Sequence, residues 1–365
     1  MILFKKVFKR ISFRGFKKTQ VIVFDKNYNG ILRKLIHKDF TVFNINTSKL
    51  YIKLLFSSAL NYIFFNSKNV SFHEIYYKKY LRKFNPEILI TFEDTDFRIL
   101  KLAQFFPKTK FIIIQNSYRP PGFYGKILLK KIDLLVTYSP LVKFNIGSNE
   151  ISMKSFKYFG GNNKSDLLKN KVILISQFRQ YCNDEYIKHV KQYYSEVDYE
   201  LFLLPNPDFL YNQDLFLNFL SNYFSKSEKL LFYKSAHREQ TSFQKINEKK
   251  YFKKFNIVEF KVSNEDIFSS TSNDIYICID STMIFELITN NKKILIYPHR
   301  KLFRDSTSNP HIEIFAKSFP DLVINEDFSD FKKKFNLLDK MSQKEYNSKY
   351  RIFNSMKEFN LKEYI

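Results

Sequence analysis

The sequence predicts an α/β protein of two doubly wound parallel-sheet domains in tandem, on three observations. Short, continuously apolar runs alternate with helix-length segments through both halves of the chain, the pattern of parallel strands buried on both faces. Gly160, Gly161, Asn162 and Asn163 punctuate the middle, and a second series of runs begins just beyond them. The length of 365 residues suits two domains at roughly 150 residues each.

The first domain, over 1–161, opens with the run Val21–Phe24, which is stopped by Asp25. A helix is expected near Ile31–His37, a strand near Thr41–Asn44, and helices near Lys49–Phe65 and Ser71–Phe84. Pro86 precedes the run Ile88–Phe92, which ends in an acidic loop holding Glu93, Asp94 and Asp96. A helix over Phe97–Phe106, the run Phe111–Ile114 and the run Leu134–Val136 follow. The second domain, over 162–345, has runs at Val172–Ile175, Leu201–Leu204, Leu230–Tyr233, Ile257–Phe260, Ile275–Ile279 and Ile294–Tyr297. Residues 346–365 read as a helical tail that packs back on the first domain. In such sheets ligands bind beyond the carboxyl ends of the strands, so the loops after these runs are where chemistry is expected.

Composition narrows the function. The chain carries 42 Phe and 24 Tyr, which excludes a disordered, charge-dominated polymer. Cys182 and Cys278 are its only cysteines, too few and too far apart for a disulfide scaffold or a cysteine-rich zinc site, and a reducing compartment fits. All 7 Gly lie at or before Gly161 and none forms a phosphate-cradling glycine loop, which argues against P-loop NTPases and glycine-fingerprint dehydrogenases. The longest apolar stretch, Leu54–Phe65, is interrupted by Ser57, Ser58 and Asn61, and falls short of the ~20 residues that cross a bilayer. The opening segment lacks the cleavage pattern of a secretory signal, so a cytoplasmic protein is expected.

The excess of 60 Lys+Arg over 36 Asp+Glu gives a formal charge of +24, which attracts nucleic acid, anionic membrane or phosphorylated small molecules alike. No nucleic-acid-binding motif accompanies the charge, and nucleic acid is not the expected partner. Lys5, Lys6, Lys9, Arg10, Arg14, Lys17 and Lys18 are interleaved with Phe4, Phe8, Phe13 and Phe16. That mixture suits peripheral contact with an anionic membrane, and equally a solvated chain end.

The most informative segment is Asn273–Arg300, NDIYICIDSTMIFELITNNKKILIYPHR. A strand ends at Asp280, Ser281 and Thr282 open a helix, Glu286 follows one turn on, and the next strand ends at Pro298, His299 and Arg300. A helix start of this kind offers free N–H groups and hydroxyls to a phosphate, and Glu286 shares a helix face with Thr282 from which it can accept a ribose hydroxyl. Ser and Thr are also ordinary helix caps. Gln177 and Arg179 follow the first strand of this domain, and His237 and Arg238 the third, so these loops are expected to share one edge with His299 and Arg300. Such cations stabilise a leaving phosphate.

The segment DSTMIFELITNNKKILIYPHR resembles the D-S-[ST]-x-x-x-E element of bacterial surface-carbohydrate biosynthesis proteins, distant relatives of the CDP-glycerol glycerophosphotransferases and of capsule glycosyltransferases with the two-domain GT-B fold. LITFEDTDF at Leu89–Phe97, FIIIQNSYR at Phe111–Arg119 and VILISQFRQ at Val172–Gln180 agree with it in order and spacing. Ser117 stands where that family usually has Gly. The resemblance implies two Rossmann-like domains facing across a cleft, the first on the acceptor side and the second holding a nucleotide-sugar donor. It implies sugar transfer to a growing capsule, lipopolysaccharide or similar glycan, lipid-linked or free. Transfer of a polyol phosphate is the first alternative, and a noncatalytic basic protein that binds nucleic acid or lipid is the second.

Transfer needs a base for the acceptor hydroxyl. Asp94 is the first choice, then Asp96, then Glu93, in a cluster that reads equally as a helix-capping turn, and Asp25 is a weaker candidate. Gln115, Asn116 and Arg119 follow the neighbouring strand and are placed to orient the acceptor or reach the donor. Asp94-Thr95-Asp96 also matches the D-x-D of metal-dependent transferases. The two parallel-sheet domains and the later phosphate helix favour the metal-independent kind, so no metal and no cofactor are expected.

Overall fold

A computed structural model describes residues 11–12, 19–24, 40–43, 50–65, 70–94, 96–116, 119, 132–137, 139–144, 149–154, 171–176, 207–235, 242–269, 273–279, 281, 283–298, 310–324, 327–356, 359–361 and 363–365. The chain forms two compact units, one of Met1–Phe159 together with Met356–Ile365 and the other of Gly160–Ser355. The expected helix over 31–37, the strand over 201–204 and the basic aromatic stretch at the amino terminus lie outside the described residues, Ile11–Ser12 excepted.

In the first unit β1 (Ile11–Ser12) pairs in parallel with β4 (Leu50–Tyr51). The main sheet holds β2 (Val21–Phe24), β3 (Phe40–Phe43), β5 (Ile88–Thr91), β6 (Lys110–Ile114), β7 (Leu134–Thr137) and β8 (Asn149–Ser152) in the order 3-2-5-6-7-8, all parallel. Chain order reverses between β2 and β5, the switch point at which such sheets bind ligands.

Alternation along these strands feeds two cores. Val21, Val23, Ile88, Ile90, Ile112, Ile114, Leu134 and Val136 pack on one face, which Phe359 and Leu361 of the chain terminus complete. Ile22, Phe24, Leu89 and Phe111 pack on the other against Tyr76, Tyr77, Tyr80, Leu81 and Phe84. Those rings belong to α2 (Phe72–Phe84), which packs beside α1 (Ile52–Phe65). Ser71 caps α2 by accepting from the Glu74 N–H at 3.2 Å, and Asn85 ends it in the left-handed region at φ 47°. The expected helix over 97–106 is a short α3 (Phe97–Leu100) continued as a 3₁₀ turn over Lys101–Phe105. Pro107 holds Phe106 out of helical geometry, at ψ 68°.

The second unit contains β9 (Lys171–Ser176), α4 (Pro207–Phe224), β10 (Leu230–Ser235), α5 (Ser242–Lys253), β11 (Val258–Glu259), α6 (Asn264–Ser269), β12 (Ile275–Ile279), α7 (Met283–Thr289), β13 (Lys293–Tyr297), α8 (Pro310–Ser318), α9 (Phe328–Lys340), α10 (Gln343–Lys349) and α11 (Arg351–Asn354). Its parallel strands lie in the order 11-10-9-12-13. Counted over the described strands of the unit that is 3-2-1-4-5, the doubly wound order of nucleotide-binding halves, with its switch point between β9 and β12. Phe216 of α4 stacks on Tyr297 with centroids 3.8 Å apart, and Phe285 of α7 packs on Phe315.

The amino edge of this sheet is structural. Asp274 accepts from the Lys171 N–H at 3.1 Å. The Lys293 ammonium donates to the carbonyls of Leu338 and Met341 at the end of α9. Burial brings the Lys292 ammonium down to about 8, against the opposing pull of Asp274. Among the described residues no helix is long and apolar enough to cross a membrane.

Candidate functional site

At the carboxyl edge of the first sheet the chain leaves β5 through a hydrogen-bonded turn. The Glu93 N–H donates to Thr91 Oγ1 at 3.0 Å and the Asp96 N–H to the Glu93 carbonyl at 3.0 Å. Asp96 then caps α3, accepting from the Arg98 N–H at 3.0 Å while both its oxygens receive the Arg98 guanidinium at 2.8 and 2.7 Å. Asp94 lies deeper, 1% exposed. Its two oxygens accept from Arg119 Nε and Nη2, each at 2.8 Å, in a bidentate pair. Register explains the meeting: β5 and β6 are neighbours, so Glu93 and Asp94 after one and Gln115 and Asn116 after the other leave one edge side by side.

Gln115 continues β6, its N–H donating to the Val136 carbonyl at 2.9 Å. Its side chain is 2% exposed, and Nε2 has no hydrogen-bond partner among the described residues. A buried amide donor with nothing to donate to costs about 1–3 kcal/mol, which makes this position ready for an acceptor atom. The amino end of α2 approaches the same loop. Burial, then the Arg98 charge, lowers the proton affinity of His73, with Asp96 opposing. Burial, then Asp96, raises that of the Tyr77 hydroxyl.

On the second sheet Ser176 and Ser235 end β9 and β10 in register with each other. Ser176 Oγ donates to Glu248 Oε1 at 2.5 Å, with both residues buried, and Ser235 Oγ is buried without a partner among the described residues. After β12, Ser281 is 4% exposed and accepts from the Met283 N–H at 3.3 Å, so its side chain is the cap of α7. Glu286 is buried within α7, and its carbonyl accepts from Thr289 Oγ1 and Asn290 Nδ2.

The described candidates therefore fall into two groups, each at one carboxyl edge. Glu93, Asp94, Asp96, Gln115, Asn116 and Arg119 stand on the first unit, and Ser281 and Glu286 on the second. Asp25, Gln177, Arg179, His237, Arg238, Thr282, His299 and Arg300 lie outside the described residues. Asp94, the first choice as a base, is closed off and clamped by Arg119, whereas Glu93 and Asp96 are half-buried. Sequence reasoning passed over Ser176, Ser235 and Glu248. A signal was present, since Ser176-Gln-Phe-Arg179 and Ser235-Ala-His-Arg238 repeat one pattern after two adjacent strands.

No protein-family model matches the chain, and no curated protein matches it either. Solved structures do. A structure of Staphylococcus aureus MnaA with UDP is 9% identical, at a TM-score of 0.50, and covers 94% of this chain and 93% of that one. The spinosyn rhamnosyltransferase SpnG with thymidine diphosphate is 9% identical at 0.48, covering 93% and 97%. A UDP-N-acetylglucosamine 2-epimerase is 11% identical at 0.48, covering 92% and 91%. At these identities the likeness is one of fold, and the chain has the two-unit, Rossmann-like α/β fold of the GT-B type.

Proposed function

We propose that the protein is a glycosyltransferase of the GT-B type that moves a sugar from a nucleotide-activated donor to a growing bacterial surface polysaccharide, without a metal or a cofactor. The observation that carries this reading is the 3-2-1-4-5 order of the second sheet, because the DST segment follows the strand at its switch point. The fold shared with a protein seen with UDP supports a nucleoside diphosphate at that edge.

In this reading the second unit holds the donor. The backbone at the start of α7, the Thr282 hydroxyl, and the cations Arg179, His237, Arg238, His299 and Arg300 face the diphosphate, while Gln177 and Glu286 serve the nucleoside. Ser281 supports by capping, as its hydrogen bond to the Met283 N–H implies. Hydrogen bonds to a charged phosphate are worth about 1.5–3 kcal/mol each, and they strengthen as the sugar–oxygen bond breaks and charge gathers on the departing diphosphate.

The first unit receives the acceptor. Glu93 takes the hydroxyl proton as the acceptor oxygen bonds to the anomeric carbon. Asp94 fixes the Arg119 guanidinium, and Gln115 Nε2 donates to an oxygen of the acceptor. The test is incubation with a panel of nucleotide sugars and CDP-glycerol, in the presence of a bacterial lipid extract, with detection of the nucleotide released. Release of nucleoside diphosphate or monophosphate from one nucleotide sugar is expected. CMP released from CDP-glycerol alone converts the reading to polyol-phosphate transfer, and no release from any donor removes it.

A further inference from the structure

Helix α1 turns an apolar stripe to solvent. Phe56, Leu60, Ile63 and Phe64 recur at i, i+4, i+7 and i+8, and three of them are 67%, 70% and 70% exposed: Phe56, Ile63 and Phe64. The opposite side of the same helix is spent, since Leu54 and Leu55 pack on the tyrosine-lined core and Ser58 is buried. Single exposed apolar residues are ordinary, but a contiguous stripe on one helix marks an interaction surface. We propose that this stripe docks on an anionic phospholipid bilayer, lying in the interface.

Charge selects that occupant. From Phe40 to His73 the chain holds no acidic residue, while Lys49 and Lys68 precede and follow α1 in the sequence, Lys53 lies within it, and the whole chain carries +24. Lys53 is exposed one turn before Phe56, on the same face. An apolar strip bordered by lysines, with aromatic rings at its edge, matches an acidic lipid surface, where rings enter the acyl boundary and cations meet head groups. At 14 residues the helix is too short to span a bilayer and suited to lying along it.

The exposed end of α1 also stands near the candidate acceptor loop. Tyr62 makes an edge contact with Phe72, centroids 6.2 Å apart, and the next residue, His73, feels the charges of Arg98 and Asp96. On the proposed function, a bilayer at this face suits a lipid-linked acceptor. The docking itself does not depend on glycosyl transfer.

The experiment is co-sedimentation of the full chain with vesicles of phosphatidylcholine alone or mixed with phosphatidylglycerol. The wild type is expected to partition onto the mixed vesicles, to leave neutral ones, and to weaken at high salt. Replacing Phe56→Gln, Ile63→Gln and Phe64→Gln together is expected to lower partitioning at least about tenfold. The melting temperature stays unchanged, since these side chains are exposed. Lys53→Glu lowers partitioning by a smaller factor. The proposal is overturned if the triple variant binds as the wild type does, which moves any membrane contact elsewhere. It is equally overturned if the wild type ignores anionic vesicles and instead forms dimers that the triple variant dissolves.

Discussion

Asp94→Asn is expected to destabilise the first unit by about 3–5 kcal/mol. The carboxylate is 1% exposed and both its oxygens are taken by Arg119, whose side chain is 14% exposed. An amide has one acceptor oxygen, so the substitution leaves one guanidinium N–H facing an NH₂ group and removes the carboxylate charge that Arg119 meets in this closed site. Partial exposure of Arg119 places the effect toward the lower end of the range. Arg119→Lys does not restore the pair, since a single ammonium cannot reproduce the planar two-pronged geometry. Replacing both residues by apolar ones of similar volume is expected to cost much less than either single change, because no charge is then stranded. The chain has no Trp, so hydrogen exchange of the β5 and β6 amides in increasing urea is the suitable readout. A loss below about 1 kcal/mol, the size of a surface pair, means that the pair is solvated and does not hold the loop.

Glu93→Gln is expected to reduce turnover by about 10²–10⁴ while leaving donor affinity unchanged. The substitution keeps the shape and the backbone hydrogen bond to Thr91 Oγ1, and removes the ability to take a proton. The stability assay separates this outcome from that of Asp94→Asn, since Glu93 is half-buried and its loss leaves the Asp94–Arg119 pair in place. Turnover within a few-fold of the wild type, at equal donor affinity, would transfer the base role to Asp96 or to a residue beyond this loop.

The strands that carry the two sheets were legible because buried parallel strands are written as short apolar runs. Val21–Phe24 and Ile275–Ile279 are such runs and form strands over the same residues. Asn149–Ser152 was not legible, because an edge strand with an exposed Asn and half-buried partners has no apolar signature. The return of the tail to the first domain was expected, but not that Phe359 and Leu361 are the residues that seal the sheet face whose strands begin at Val21, a detail that local pattern cannot announce. In the candidate site the acidic loop was visible from its position after a strand. Its internal order was not, since Asp94 and Arg119 are 25 residues apart and meet only through the pairing of β5 with β6. Ser281 shows the opposite case: both readings of its sequence, cap or phosphate ligand, were open, and its Oγ accepts from the Met283 N–H as a cap does while its own O–H keeps a donor for a phosphate.

On the proposed function a nucleotide binds beyond the carboxyl ends of β9 and β12. Hydrogen exchange of the full chain with and without UDP, or whichever nucleoside diphosphate the donor panel releases, tests it most directly. Protection is expected in peptides covering residues 176–180 and 280–286, with the amino edge around Asp274 and Lys292 unchanged. Protection confined to that amino edge, or none at a nucleotide concentration that supports turnover, would contradict it.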